Sequence, residues 1–311
     1  MKGLRRFLLS ALVILCAVIV ADIILGKIMN WMLPQINPKT AIGKTCFALD
    51  KVNTPVVIVG SSRASHHYVT RMIEDSLGLD AYNVGRDGCY FSDNICIINS
   101  ILDRYSPEII IWELSDNPLY VDGNDPLESL YPYYGENAWV TDIINMEEDT
   151  DIRLCLKSAL YRYNSQVLRI CLRWLQKNDE PDIDKGYDPL APKKWIVASN
   201  GKDEKTQERE IDSLKMQLFV NVVDRIKMGG VNLIVLNSPV YSDDENIKPV
   251  TNDNFMREIL TENGFCYLDN RCLGEFICHP EYFNDKTHLN RIGAEVYTGI
   301  FLEQLKGIKS K

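Results

Sequence analysis

The sequence predicts an α/β fold with three layers, in which about five parallel strands lie between two layers of helices. Two observations indicate this fold, and a third concerns the N-terminus. Runs of β-branched residues alternate with segments of helical spacing from residue 55 onward, as they do in βαβ units. The runs contain few polar residues, which is typical of parallel strands covered on both faces. An apolar stretch before residue 30 adds an N-terminal transmembrane helix.

The apolar stretch runs from Phe7 to Leu25 and is interrupted only by Ser10 and Asp22. As a helix, its 19 residues nearly cross a hydrocarbon core of about 30 Å. The cations that precede it are Lys2, Arg5 and Arg6. Because cationic flanks stay in the cytoplasm, we expect residues 1–30 to form a single-pass membrane anchor, with the rest of the chain outside the cytoplasm. A cleaved signal peptide and a buried core helix are the alternatives.

The first half of the predicted sheet follows after residue 50. The elements are, in order, a strand over 55–59 that ends at Gly60, a helix through "VTRMIEDSLG" that ends at Gly78, a strand in "DAYNVG", a helix in "FSDNICIINSILDRY" and a strand in "PEIIIWEL". The alternation then stops. From 118 to about 205 the chain carries acidic and aromatic turns, a helical segment and a polar, proline-containing segment, so we interpret this part as an insertion after strand three.

The second half of the predicted sheet begins with a helix in "EIDSLKMQLFVNVVDRIKMGG", which Gly229 and Gly230 end. A strand in "VNLIVLNSPVY", a helix in "NFMREILTENG", a strand in "FCYLD" and a final helix in "HLNRIGAEVYTGIFLEQL" follow. The predicted result is one five-stranded, flavodoxin-like domain over residues 50–310.

Composition argues against several classes of partner and site. The net charge of -9 and the pI near 5.1 argue against a nucleic-acid partner, and no basic stripe is interleaved with aromatic residues. The nine cysteines form no CxxC pair, so the sequence predicts neither a disulfide scaffold nor a zinc site. We expect no metal and no organic cofactor.

Polar residues and glycines follow three of the predicted strands and precede the last helix. Ser62 follows strand one, Gly88 lies in "NVGRDG" after strand two, and Asn117 follows strand three. Asp285 and His288 stand before the final helix, with the i, i+3 spacing that puts two side chains on one side of a helical turn. Because the carboxyl ends of parallel strands meet at one edge of a sheet, this set favours an acyl-transfer site. Taken singly, each residue also fits a turn, capping or packing role.

These blocks resemble the SGNH hydrolases, also called the GDSL esterase family. The four family blocks match "GSSR", "NVGRDG", "ELSDN" and the DxxH pair in "DKTH", in the family's order. The resemblance implies that Ser62 is the nucleophile, His288 the base and Asp285 the acid that orients the base. It also implies an oxyanion hole formed by the N–H groups of Ser62 and Gly88 and the side-chain amide of Asn117.

Two blocks depart from the family pattern. Ser61 stands where the first block usually has Asp, and Ser115 and Asp116 precede the asparagine of the third block. The implied nucleophile, base and acid stay in place, but substrate preference does not carry over. In style the sequence is similar to the membrane-anchored branch that acts on cell-envelope polymers, which includes alginate O-acetylation and lipoteichoic acid D-alanylation proteins.

Nearby residues have alternative roles. His66 and His67 are close to Ser62 in sequence, but we expect them to point along the following helix without an acidic partner, so neither is preferred as the base. We expect Arg63 to form a surface ion pair rather than to bind an anionic substrate. The aromatic residues of the insertion form either a sugar-stacking lip or, as is favoured, the insertion's own core. They are Tyr131, Tyr133, Tyr134 and Trp139.

The resemblance implies an extracytoplasmic serine esterase or O-acyltransferase. It would act through an acyl-serine on ester-linked acyl groups, acetyl above all, of an envelope or secreted glycan. Its expected partners are the acylated glycan and the membrane. A non-catalytic glycan-binding or assembly component that keeps the fold is the alternative.

Overall fold

The computed structural model describes residues 2–114, 118–123, 125–176, 182–193, 210–244 and 254–309. The chain forms two compact units, and each is made of two separate stretches of the sequence. The anchor unit contains residues 1–46 and 127–180. The sheet unit contains residues 47–126 and 181–311.

The sheet unit is built on five parallel strands in the order β2-β1-β3-β4-β5. The strands are β1 (Val56–Gly60), β2 (Ala81–Asn83), β3 (Ile109–Glu113), β4 (Asn232–Asn237) and β5 (Cys266–Asp269). The strand order 2-1-3-4-5 is that of flavodoxin-like sheets. The predicted α/β fold with five parallel strands is therefore confirmed.

The described residues contain twelve α-helices. They are α1 (Lys2–Met32), α2 (Ala41–Asp50), α3 (Ser62–His67), α4 (Thr70–Leu77), α5 (Phe91–Arg104), α6 (Ala138–Glu147), α7 (Thr150–Cys155), α8 (Ala159–Tyr163), α9 (Val167–Leu175), α10 (Ser213–Met228), α11 (Asn254–Glu262) and α12 (Arg291–Lys309). Gly78 ends α4 as predicted, because its φ of 66° is the left-handed conformation that glycine adopts without strain. Gly229 follows the last residue of α10, also as predicted.

Helices cover both faces of the sheet, since alternate residues of a strand point to opposite sides. On one face, Ile111 of β3 belongs to a core that includes Tyr297 of α12. On the other face, Trp112 packs against Phe91 of α5 and Phe219 of α10, with ring centroids 6.1 and 5.8 Å apart. β1 and β3 are buried along their whole length, which explains their apolar sequences.

The segment 182–193, which the sequence places in the insertion, lies in the sheet unit. The Asn83 N–H donates a hydrogen bond to the Lys185 carbonyl at 2.9 Å. Gly186 is needed beside it, because its φ is +82° and an added Cβ would lie 2.0 Å from the Asn83 carbonyl oxygen. The end of the predicted insertion therefore packs on β2.

The anchor unit contains the apolar helix α1 together with α6 to α9. α1 is long and apolar enough to cross a membrane. Residues 2–21 are exposed, whereas Gly26, Met29 and Met32 are buried. The last third of α1 packs against α8 and α9.

The insertion aromatics make contacts inside the anchor unit. Tyr133 is buried. Tyr131 donates a hydrogen bond to Glu148 Oε1 at 2.5 Å, and Tyr134 donates one to Asn145 Oδ1 at 3.0 Å. These contacts support the favoured interpretation that the tyrosines form the insertion's own core.

Candidate active site

The predicted nucleophile lies at the carboxyl edge of the sheet. Ser62 is the first residue of α3 and follows β1 after one intervening residue. Gly60 makes the turn possible, because its φ is +151° and an added Cβ would lie 2.6 Å from the Glu113 carbonyl oxygen. A strand, a glycine turn and a helix start thus place the hydroxyl where ligands bind in open α/β sheets.

The structure brings Ser62, His288 and Asp285 together. Ser62 Oγ lies 2.7 Å from His288 Nε2. His288 Nδ1 lies 2.9 Å from Oδ2 and 3.0 Å from Oδ1 of Asp285. Because the carboxylate accepts the Nδ1 proton, Nε2 of the neutral ring keeps its lone pair for the serine hydroxyl. In this arrangement a histidine can take the proton of an attacking serine.

The turn that carries Asp285 and His288 is not the helical turn that their spacing suggested. Asp285 Oδ1 accepts hydrogen bonds from the N–H groups of Thr287 and His288, both at 2.9 Å, which is an Asx-type turn. The final helix begins at Arg291, later than predicted. Burial would raise the pKa of Asp285, but the bonds from Thr287 and His288 outweigh it and lower that pKa below its ordinary value. The carboxylate therefore stays ionised beside the imidazole.

The predicted oxyanion donor Gly88 lies in the loop after β2 and has a φ of 67°. This loop is held against the start of α3. A Cβ added to Gly85 would lie 2.5 Å from Ala64 Cβ, so glycine is needed for the approach. The Arg86 N–H also donates a hydrogen bond to the Gly60 carbonyl at 3.3 Å. The loops of the first two sequence blocks are thus neighbours at the sheet edge.

Asn117, the third predicted oxyanion donor, lies outside the described residues. The strand before it, β3, pairs with β1 so that Gly60 is the register partner of Glu113. The oxyanion hole formed by Ser62, Gly88 and Asn117 stays a prediction.

His66 has an acidic partner, contrary to the expectation from the sequence. Its Nε2 lies 2.9 Å from Asp87 Oδ1, and its Nδ1 lies 2.6 Å from the Asp188 carbonyl oxygen. Both partners are hydrogen-bond acceptors, so both ring nitrogens of His66 are already engaged and His66 is not placed as the base of Ser62. Burial alone would lower the pKa of His66, but the hydrogen bonds to Asp87 and Asp188 raise it above its ordinary value. The ion pair fixes the loop that contains Gly88.

Arg63 is buried, which corrects the expected surface ion pair. Its Nε lies 3.1 Å from Glu113 Oε1, and its Nη2 donates a hydrogen bond to the Leu114 carbonyl at 2.7 Å. Glu113 is the last residue of β3 and is completely buried, and the Tyr68 hydroxyl donates to it as well. The residue that follows the predicted nucleophile is therefore tied to the neighbouring strand.

The same carboxylate begins a chain of hydrogen bonds toward the predicted base. Ser238 donates to Glu113 Oε1 through its N–H at 3.0 Å and its hydroxyl at 2.9 Å. His67 Nδ1 lies 2.7 Å from Ser238 Oγ, and the Leu289 N–H donates to His67 Nε2 at 2.9 Å. Because an amide N–H only donates, Nε2 is the acceptor and the proton of His67 is on Nδ1. Leu289 follows His288 directly, so the chain ends at the backbone of the base.

Sequence reasoning missed Glu113 and Ser238 and gave His67 no structural role. A charged residue at the end of the apolar strand "IIIWE" is the available signal, because buried charges are almost always paired. Burial lowers the pKa of His67 well below its ordinary value, which keeps the ring neutral. Burial raises the pKa of Glu113, and the Arg63 cation offsets part of that rise.

Metal-ligating side chains do not cluster in groups of three or more within the part of the chain that the structure describes. His279, which is next to Cys278, lies with its Nδ1 2.8 Å from Glu281 Oε1. The expectation that the protein needs no cofactor stays a prediction.

Comparisons with known proteins give structural similarities alone. No protein-family model matches the chain, and no curated protein matches it. The solved structures that are similar to it include two bacterial proteins. The lipase/acylhydrolase from Enterococcus faecalis has 10% identity and a TM-score of 0.40, over 81% of this chain and 95% of that one. A "putative acylhydrolase" from Bacteroides fragilis has 10% identity and a TM-score of 0.37, over 81% and 86%. These similarities assign no activity to this chain.

Proposed function

We propose that this protein is a serine esterase or acyltransferase of the SGNH type. One observation carries the proposal: Ser62 Oγ, the His288 ring and the Asp285 carboxylate form a continuous hydrogen-bonded set with contacts of 2.7 and 2.9 Å. A serine hydroxyl is a weak nucleophile until a neighbouring base accepts its proton. A base that a carboxylate holds in the correct tautomer supplies that activation.

In the proposed reaction, Ser62 Oγ attacks the ester carbonyl carbon while its proton moves to His288 Nε2. Asp285 stabilises the imidazolium that forms. The oxyanion of the tetrahedral intermediate accepts hydrogen bonds from the N–H groups of Ser62 and Gly88. His288 then gives the proton to the leaving alcohol oxygen, which leaves an acyl group on Ser62. Water or an acceptor hydroxyl then attacks the acyl carbonyl carbon while its proton moves to His288 Nε2. His288 returns that proton to Ser62 Oγ as the bond between Ser62 and the acyl group breaks.

The proposed substrate is an ester-linked acyl group, acetyl above all, on an envelope or secreted glycan. The apolar helix α1 supports this part of the proposal, because a single-pass anchor with a cationic N-terminus would hold the rest of the chain outside the cytoplasm, beside such polymers. The triad serves hydrolysis and transfer alike, since both proceed through the same acyl-serine. A labelled acetyl donor offered with candidate oligosaccharides separates them: label on sugar indicates transfer, and free acetate alone indicates hydrolysis.

Turnover of p-nitrophenyl acetate by the full-length protein tests the proposed activity. Ser62→Ala should lower kcat/KM by roughly 10⁴-fold or more, because the acyl-serine cannot form. Ser61→Ala is the matched control, and it should keep both the rate and the thermal transition of the wild type. A Ser62→Ala variant with the wild-type rate would overturn the proposal. Wild-type protein that turns over no ester but binds acetylated glycans would instead be the non-catalytic component.

A further inference from the structure

We propose that the anchor unit makes a second membrane contact, in which α9 lies in the interface of the bilayer that α1 crosses. The contact surface is the leucine stripe, defined as Leu168, Leu172 and Leu175. The inference rests on the proposed role of α1 as a membrane anchor. It does not depend on the proposed chemistry at Ser62.

The leucine stripe is an apolar helix face turned outward. Its three members follow the spacing i, i+4, i+7, which places them on one face of α9. Their exposed fractions are 70%, 48% and 72%. Arg169 and Arg173 occupy the adjacent face of the helix. Leucines beside arginines are typical of helices that lie in a membrane interface, where the apolar face enters the acyl boundary and the guanidinium groups reach lipid phosphates.

The depth of this surface follows from α1. A hydrocarbon core of about 30 Å needs roughly 20 helical residues at about 1.5 Å each. Counted from Phe7, where the cationic flank ends, the core therefore reaches about as far as Gly26. Asp22 falls inside this length. An aspartate at that depth is unfavourable unless protein groups satisfy its carboxylate.

The N-terminus of α8 satisfies Asp22. The carboxylate accepts hydrogen bonds from Ser158 Oγ at 2.8 Å and from the N–H groups of Ala159 and Leu160 at 3.0 and 2.7 Å. α8 therefore begins at the depth of Asp22, near the outer boundary of the hydrocarbon. Leu160 is 51% exposed there, which suits a lipid-facing position.

Beyond Asp22, α8 and α9 contact α1 at positions successively closer to its C-terminal end. A Cβ added to Gly26 would lie 3.0 Å from Ala159 Cβ, and the ring of Trp174 in α9 lies 5.4 Å from that of Trp31. Trp31 is about 8 Å beyond Gly26 along the helix, which is the depth of the headgroup layer. Tryptophan is enriched at that level. Three isoleucines of α1 are exposed in the same interval, Ile23, Ile24 and Ile28.

Depth-dependent quenching in the full-length protein tests the inference. A fluorescent amino acid replaces Leu168, Val13 or Met228 in separate proteins, each reconstituted in vesicles of phosphatidylcholine and phosphatidylglycerol. The vesicles contain lipids with a nitroxide either near the headgroup or deep in the acyl chain. Val13 reports the middle of α1. Met228 of the sheet unit, which is 81% exposed, is the reference for an exposed apolar side chain with no proposed membrane contact.

We expect the headgroup nitroxide to quench the label at 168 and the deep nitroxide to quench the label at 13, with less quenching at 228 than at either. Quenching at 13 with the label at 168 no more quenched than that at 228 would overturn the lipid contact and leave the anchor in place. No quenching at 13 would overturn the anchor and this inference together. Esterase activity of the same proteins reports separately on the proposed chemistry.

Discussion

Replacement of His67 tests whether the buried chain from Glu113 to Leu289 holds the base in place. His67→Leu fills the space with an apolar side chain, and it removes both the acceptor of the Leu289 N–H and the donor to Ser238. His67→Gln is the matched variant, because its side-chain oxygen can still accept the Leu289 bond. Both variants remove the imidazole, and only the glutamine side chain offers an acceptor to the Leu289 N–H.

The magnitude follows from burial. Leu289 and His67 are both 0% exposed, so water does not replace the lost partner. A buried N–H without an acceptor costs about 1–3 kcal/mol, and we expect His67→Leu to lower the free energy of unfolding by that amount. The Leu289 N–H is also one bond removed from the His288 backbone. Because a displacement of about 1 Å at a catalytic group can cost on the order of 10²-fold, kcat should fall roughly 10- to 100-fold, with little change in KM.

The assay is kcat and KM for p-nitrophenyl acetate, measured beside urea unfolding of the same proteins. His67→Gln should recover most of the lost kcat. Wild-type kcat in His67→Leu would refute the positioning role. Equal losses of kcat in both variants at equal stability would show that the bond to Leu289 does not position the base.

The described geometry also predicts the effects of substitutions at Asp285, His66 and Gly186. Asp285→Asn should lower kcat less than His288→Ala does, because the base remains present while its tautomer is held less well, and the two kcat values check this. His66→Gln should remove a stabilisation that is complete below about pH 6.5 and is lost as pH rises through the raised pKa of His66, because between the two pKa values the folded state binds more protons than the unfolded state. The free energies of unfolding of wild type and variant, measured across pH, should therefore converge at high pH. Their difference should change by at most about 1.4 kcal/mol per pH unit. Gly186→Ala should lower the free energy of unfolding by more than Gly78→Ala, since both have positive φ but an added Cβ meets a backbone oxygen at 2.0 Å only at Gly186 and open space at Gly78; urea unfolding of the two variants decides it.

The sheet was predictable because its signal is local. Buried parallel strands leave continuous apolar runs, and the glycines after α4 and α10 mark helix ends that do not depend on distant partners. The contact of Ser62 with His288 spans 226 positions, yet sequence blocks in the family's order were sufficient to predict it. The Asx turn at Asp285 was missed because i, i+3 spacing fits both a helical turn and a turn that an aspartate side chain closes.

The buried ion pair and the role of Asp22 were not predictable from local sequence. Arg63 meets Glu113 only because β1 and β3 are neighbours, and no pattern around either residue specifies that pairing. Asp22 interrupts an apolar helix, and its hydrogen bonds come from the start of α8, 136 positions away in the sequence. Both are contacts between residues far apart in the sequence. A charged residue within an apolar run indicates that it has a partner, but the run does not identify that partner.

Covalent labelling with a fluorophosphonate, followed by peptide mass spectrometry, determines whether Ser62 is an activated nucleophile. The probe reacts with an activated serine whatever its substrate. We predict an adduct on Ser62 that is absent in Ser62→Ala, retained in Ser61→Ala and formed far more slowly in His288→Ala. An adduct on Ser61, or a folded wild-type protein that stays unlabelled, would show that Ser62 is not the activated nucleophile.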